Sequence, residues 1–438
     1  MINGKRVKKA VRNLRQRIFR AKQIGNLRKL RDLQKLMLRS EANLLLAVRQ
    51  ITQTNTGKNT AGIDKEVINT PAQRVKLVNE WQAYKAHPTR RVMIPKPNGK
   101  KRPLGIPTVR VRVLQSIVKN ALELEWSAVF EPNSYGFRPG RSCQDAIAQS
   151  FNRLNNNPRG KADIKGFFDN IAHESILDSI KFVPGTNLIK GWLKAGFVLD
   201  GRWNPTEQGT PQGGVISPRL ANIGLHGLED YIKSTNPQLG VVRYADDVMV
   251  TARDRQSVET AQNQIQVWMK SKGLELSSEK TVISSVKDGF NFLGFNLRRY
   301  GNQGKLFIKP SKEKVLAFCQ RLGQEIRKLN GTTEEVVIQK LNPILRGFAN
   351  YYRGQVSKET FSYIGHRLWQ YLWRWAKRRH PNKPKRWVKS RYFSRIKGVD
   401  WTFSVTTERR GKKTVLTLFN IASTPIQRHI NRRHKLPG

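Results

Sequence analysis

Acidic residues are scarce in this chain: 31 Asp and Glu stand against 81 Lys and Arg over 438 residues, a formal net charge of +50. An excess of one sign on that scale sets up a positive field that calls for a polyanionic partner, and nucleic-acid phosphate is the commonest one. A basic protein that only coats RNA would show the same balance, and anionic membrane is the weaker fit. Cysteine is scarcer still. Cys143 and Cys319 form no CxxC pair, which excludes a zinc knuckle and a disulfide framework and leaves each as a small buried residue rather than a nucleophile. The seven His show no HExxH spacing and read as part of the basic surface. No run approaches the roughly 18 apolar residues that span a bilayer, and the basic N-terminus lacks a secretory apolar core. A soluble cytoplasmic protein is therefore expected. A GxxxxGK[ST] loop is missing too, which argues against an ATPase, and neither repeats nor low-complexity linkers occur.

What is present changes character along the chain. The first forty residues hold fourteen Lys/Arg and one acid, Asp32. Their apolar positions (Val11, Leu14, Ile18, then Leu27, Leu30, Leu33, Leu38) follow a helical period broken at "IGN", 24–26, and predict two basic amphipathic helices. "RRVMIPKPNGKKRPLGIPT" (90–108) reads as two short strands, Arg91–Ile94 and Pro103–Ile106, around a basic Pro-Asn-Gly turn. Helices are expected over "VLQSIVKNALELEWSAVF", 218–233 and 255–273, a hairpin over 240–252, and short strands over 280–308. This mixture without strict βαβ order argues for an α+β fold with a palm-like sheet. After about 310 come amphipathic helices, then a stretch rich in Trp, Tyr and Phe that carries eleven Lys/Arg and no acid between Arg374 and Lys397. Trp369, Trp373 and Trp375 cannot all share one helical face, so at least one belongs to the core.

One place departs from the basic pattern. In "GVVRYADDVMVTA" (240–252) two adjacent carboxylates, Asp246 and Asp247, interrupt a run of strand formers that favours burial. Ionised carboxylates there are costly unless a cation or donors compensate, and Mg²⁺, a hard ion that takes carboxylate and phosphate oxygens, is the obvious compensator. A third carboxylate is then expected on another strand. Asp163 in "KADIKGFFDNI" is the best placed, with Asp169 the competitor in a setting that looks like a turn or N-cap. Together these carboxylates would hold two metals roughly 3.5–4 Å apart, an arrangement suited to in-line phosphoryl displacement.

Tyr244-Ala245-Asp246-Asp247 resembles the YxDD motif of reverse transcriptases, in the YADD form typical of group II intron-encoded proteins. The resemblance extends to "RRVMIPKPNGKKRPLGIPT" (90–108), "NSYGFRPGRSCQDAI" (133–147), "ADIKGFFDNI" (162–171), "QGTPQGGVISPRLANI" (208–223), "LSSEKT" (276–281) and "FNFLGF" (290–295), which occur in that family's order. "LNPILRGFANYYRGQVSKETF" (341–361) and "LWRWAKRRHPNKP" (372–384) are similar to its thumb and maturase segment, especially in cyanobacterial introns.

The resemblance implies a right-hand polymerase fold with fingers, palm, an α-helical thumb/maturase domain and a small basic C-terminal region. Its expected divisions are 1–75, 76–305, 306–385 and 386–438, the last resembling a shortened DNA-binding region. It implies Asp163, Asp246 and Asp247 as the catalytic triad, with Ile164 beside them among the metal ligands for two Mg²⁺ ions. Lys96, Arg102, Phe168, Gln212 and Lys280 match dNTP-binding positions. Phe168 would bar a ribose 2′-OH (Phe167 reads as core), and Gly213 and Gly214 would allow close backbone approach. Lys280 would be the proton donor to pyrophosphate, a role a solvated Lys mimics. Leu293 and Gly294 match the primer grip. Arg12, Arg15, Lys22, Arg346, Arg374, Lys377, Arg378 and Arg379 are candidate RNA contacts, where cations meet phosphate and interleaved rings meet exposed bases. Implied partners are group II intron RNA, an RNA template with a DNA primer, target DNA and dNTPs, with no membrane and with a homodimer left open; location would be bacterial cytoplasm and nucleoid. Many relatives continue into an HNH endonuclease, which this chain's two Cys cannot supply, so it is not expected to cut the second DNA strand. Rival readings are a splicing-only maturase with a vestigial polymerase, and a domesticated relative used in defence or repair.

Overall fold

The computed structural model of the chain describes residues 3–82, 86–95, 99, 101–155, 161–165, 171–209, 213–276, 281–409 and 411–430, with the backbone alone at 161–165, 409 and 412. It divides into two units, one built from residues 3–149 and 161–283, the other from 150–155 and 284–430.

The first unit opens with the two expected helices, α1 (Gly4–Gln23) and α2 (Leu27–Arg39), separated by Gly25 at φ +71°. Asn3 and Asn26 cap them, each side chain accepting from backbone N–H groups of the first turn. Their apolar stripe is buried: Val11, Leu14, Ile18, Leu30 and Leu33 pack with Ala121 and Leu124. Leu27, expected in that stripe, is exposed at the joint between the helices. Next come α3 (Glu41–Arg49) and α4 (Pro71–Asn79), the latter entered through a Thr70–Gln73 capping box.

The basic hairpin forms as β1 (Thr89–Pro95) and β2 (Lys101–Ile106), antiparallel from Arg90↔Ile106 to Pro95↔Lys101. It leads into α5 (Val109–Val129), which is buried on nearly every face. Val113 and Ile117 enter one apolar cluster, Ala121 and Leu124 a second, and Leu114, Val118 and Leu122 a third. A helix apolar all round is a core helix, which is why this stretch shows so little amphipathic bias.

Beyond it run α6 (Cys143–Asn155), β3 (Lys161–Lys165), α7 (His173–Ser179), α8 (Thr186–Lys194), β4 (Phe197–Leu199) and β5 (Arg202–Asn204). The helix expected over 218–233 is two, α9 (Ser217–Gly224) and α10 (Leu228–Thr235), because Gly227 takes φ +95° and ends the run. Then follow β6 (Gly240–Tyr244), β7 (Asp247–Thr251), α11 (Arg255–Ser271) and β8 (Thr281–Ser285). Two sheets result, ordered β2-β1-β4-β5 and β6-β7-β3-β8. The second has Val241, Val248 and Val250 in one cluster with Leu220 and Ile223 of α9 and Ile265 of α11.

The second unit begins with the antiparallel meander β9 (Phe290–Phe292), β10 (Phe295–Tyr300) and β11 (Lys305–Pro310). Strands β10 and β11 pair from Phe295↔Pro310 to Tyr300↔Lys305, and the first unit ends at 283. Helices α12 (Lys312–Lys328), α13 (Glu334–Tyr352), α14 (Lys358–Arg379) and α15 (Lys385–Tyr392) follow, then β12 (Phe393–Ile396), β13 (Val399–Arg409) and β14 (Lys412–Thr417). Asn342 of α13 donates to Thr417 O at 3.0 Å and accepts from Phe419 N at 2.7 Å. Trp375 lies edge-on to Tyr392 and Phe403, and it is the core member of its Trp trio. Among the described residues no helix is long and apolar enough to cross a membrane.

Candidate active site

Strand formers on both sides of Asp246 and Asp247 make a hairpin with register Val241↔Val250 to Tyr244↔Asp247, closed by a two-residue turn. Ala245 takes φ +54° in that turn, a left-handed conformation that costs an L residue about 1–2 kcal/mol. Residues 244–247 are half-buried while Val248, Met249 and Val250 are buried, so the carboxylates stand at the rim of the core. Strand β3 runs antiparallel along β7 with Ile164 opposite Val248 and Lys165 opposite Asp247. The backbone of Asp163 thus lies two positions from the residue paired with Asp247. Among the described residues no three of His, Cys, Asp and Glu gather into a metal-sized group. An all-carboxylate set of the kind β3 and the hairpin carry suits a hard cation such as Mg²⁺.

A second strand-like segment braces the turn from behind. Tyr135 N donates to Arg243 O at 2.8 Å and Arg243 N donates to Asn133 O at 2.9 Å, so residues 133–135 run beside β6. Gly136 then passes against Ala245: a methyl group built on it would stand 2.9 Å from the Ala245 Cα and Cβ and closer still to its nitrogen. Asn222 of α9 donates to Gly136 O at 2.7 Å and accepts from the Arg243 guanidinium at 3.2 Å. The buried Glu131 carboxylate lies 3.6 Å from that guanidinium and 3.1 Å from His226. Burial alone would raise the Glu131 carboxyl, yet the His226 hydrogen bond and the Arg243 charge outweigh it and hold it down to about 2. Burial pushes Arg138 down to about 9, with Arg141 and Arg243 adding to it, while its guanidinium donates to Glu131 O and Ser134 O, both at 2.7 Å. Sequence reading missed this layer. Its signal was Arg243, a lone charge among the apolar residues of "GVVRY".

Other expected residues divide between those the structure describes and those it does not. Arg102 lies on β2 opposite Ile94 and is exposed. Gly213, at φ +118°, sits so close to β2 that a methyl group there would stand 2.5 Å from Gly105 O. Lys96, Phe167, Phe168, Asp169, Gln212 and Lys280 lie outside the described residues, as do the side chains of Asp163 and Ile164.

In the second unit, Leu293 (φ +50°) and Gly294 (φ +81°) form the tight turn between β9 and β10. The Tyr351 hydroxyl donates to Leu293 O at 2.9 Å and the Tyr352 hydroxyl to Gly294 O at 3.2 Å, so α13 holds this turn. Arg346, Arg374, Lys377 and Arg378 are exposed, whereas Arg379 packs over the Trp375 ring at 4.7 Å. In the first unit Arg12 is exposed, but Arg15 pairs with Glu123 at 2.6 Å and Lys22 lies 3.9 Å from Glu125.

Comparison with known proteins assigns the class. Residues 94–297 match the family model described as reverse transcriptase (RNA-dependent DNA polymerase), 1–81 that of the N-terminal domain of reverse transcriptase, and 315–393 that of the group II intron, maturase-specific domain. The chain is 31% identical over 343 residues to the protein YkfC of Escherichia coli, covering 66% of this chain and 89% of that one. It is 28% identical over 400 residues to the group II intron-encoded protein LtrA of Lactococcus lactis, covering 68% of this chain and 67% of that one. This chain belongs to the group II intron reverse transcriptase/maturase family.

Proposed function

We propose that this reverse transcriptase extends a DNA primer on an RNA template by a two-metal mechanism at Asp163, Asp246 and Asp247, and that it binds group II intron RNA to assist splicing and mobility into target DNA. The observation that carries the polymerase reading is the β3–β7 register, which sets the Asp163 strand directly beside the carboxylate hairpin. Two Mg²⁺ ions held by these carboxylates, with Ile164 beside them, would lower the charge cost of primer-hydroxyl attack on the α-phosphorus and of pyrophosphate departure. Ala245 is small, which suits a primer end lying close against the turn. Lys96 and Arg102 would meet the incoming triphosphate, with Phe168, Gln212 and Lys280 completing its pocket, and the Leu293–Gly294 turn would hold the primer. Exposed Arg12, Arg346, Arg374, Lys377 and Arg378 would meet RNA phosphate, with Arg15, Lys22 and Arg379 partly committed to internal partners. Such work fits the bacterial cytoplasm and nucleoid, as a monomer or a homodimer.

Primer extension with purified protein tests the reading. Asp246→Ala should abolish Mg²⁺-dependent DNA synthesis, a loss of at least about 10³-fold, while RNA binding persists. Wild-type protein that binds intron RNA but never extends a primer would instead identify a splicing-only maturase.

A further inference from the structure

We infer that Gly136, Asn222 and Arg243 form a strut that positions the Tyr244–Asp247 turn, and that cation affinity and turnover depend on it. The inference rests on the polymerase reading but concerns residues that touch neither metal nor substrate. Three observations carry it. Ala245 holds a left-handed conformation that an alanine does not favour by itself and that the two-residue β6–β7 turn imposes on it, so packing against the turn bears on how firmly it is held. The surface against it is Gly136, whose missing side chain is what permits the approach. Gly136 is in turn fixed by Asn222, which grips its carbonyl with one end and the Arg243 guanidinium with the other, both in the buried interior.

Geometry makes the strut a closed circuit. Arg243 immediately precedes Tyr244 in β6, and its own backbone N–H and C=O are both used by the 133–135 segment. The segment therefore reaches the turn twice, through the backbone of Arg243 and through Gly136 against Ala245. Asn222 ties the two points together from α9. A half-ångström shift at Gly136 would pass directly to Ala245 and so to the adjacent Asp246. Carboxylate pairs bind a hard cation only when their oxygens hold fixed spacing, so a loosened turn should weaken the ion before it weakens substrate.

Asn222→Leu keeps the branched outline of the side chain with greater bulk and removes both hydrogen bonds, whereas Asn222→Asp keeps the acceptor for Arg243, loses the donor to Gly136 and adds a charge beside the guanidinium. The expected result for Asn222→Leu is a 10- to 100-fold fall in kcat, KM for dNTP within about twofold, and a several-fold higher Mg²⁺ requirement. Asn222→Asp should fall between it and wild type. Gly136→Ala should behave like Asn222→Leu, with partial recovery when combined with Ala245→Gly. Mn²⁺ binding read by electron paramagnetic resonance, with Asp246→Ala as the zero reference, provides a measure independent of synthesis. Affinity should drop several-fold in Asn222→Leu. Wild-type metal affinity and an unchanged kcat in folded Asn222→Leu would overturn the strut. So would a loss in kcat that disappears when assays are run well below its melting temperature. If wild-type protein fails to extend primers, the polymerase reading falls while the Mn²⁺ titration still decides the strut. Should Gly136→Ala not fold, the two Asn222 variants carry the test.

Discussion

The N-terminal helices and the α14–α15 region are about equally basic, yet their cations meet different fates. In α1 and α2, Arg15 pairs with Glu123 at 2.6 Å and Arg31 with Glu125 at 2.9 Å, both carboxylates lying on the buried helix α5. In α14, α15 and the turn between them, by contrast, cations lie over rings: Arg379 is 4.7 Å from the Trp375 centroid and Lys383 is 5.6 Å from that of Trp387. Arg391 does find an acid, Glu334 at 2.9 Å, but Arg374, Lys377 and Arg378 stay exposed. A surplus of positive charge therefore says that a polyanion is expected, not which cations will meet it. Both regions leave most of their charge facing outward, but the first also spends part of it on the buried carboxylates of α5.

Three variants would sharpen or break this contrast. The largest effect is expected from Glu123→Ala, which strands the buried Arg219 guanidinium now 2.8 Å away and releases Arg15. Breaking a buried pair in this way should cost about 3–5 kcal/mol of stability, read as a lowered denaturant midpoint. The Glu123 carboxyl itself is opposed by burial but held below its ordinary range by Arg15, Lys119 and Arg219. Its contribution is thus complete above the unfolded value and fades as pH falls through the lower folded one. A smaller effect, on binding alone, should follow Arg374→Ala with Arg378→Ala. RNA affinity should drop roughly 10-fold with the salt slope reduced by about 1–2 and the melting temperature unchanged. The smallest should be Arg15→Ala: about 1 kcal/mol of stability, with RNA affinity close to wild type. An Arg15 variant that loses RNA affinity but no stability would reverse the assignment of the two regions.

Much of this was legible in the sequence, and for physical reasons. Local patterns carry local structure: the period of Val11, Leu14 and Ile18 gave α1, alternation around the Pro-Asn-Gly turn gave the β1–β2 hairpin, and β-branched residues around Asp246 gave β6 and β7. The family also followed from ordered motifs. What escaped reading depends on residues far apart in the chain. Nothing near Leu293 signals that Tyr351 and Tyr352 hold its turn. Gly136 looks like an ordinary turn glycine until Ala245 lies against it. Gly227 breaks a helix that periodicity alone would continue, since its left-handed backbone leaves no trace in the apolar pattern.

The pairing of Arg15 with Glu123 spans 108 residues, and this has a temporal meaning. A ribosome working at roughly 5–20 residues per second releases the basic helices some 5–20 seconds before the carboxylates that will hold them. During that interval the basic helices lack the carboxylates that will hold them. Only as α5 emerges can Arg15 meet Glu123 and Arg31 meet Glu125, so the charge neutralisation of this region waits on chain that is made later.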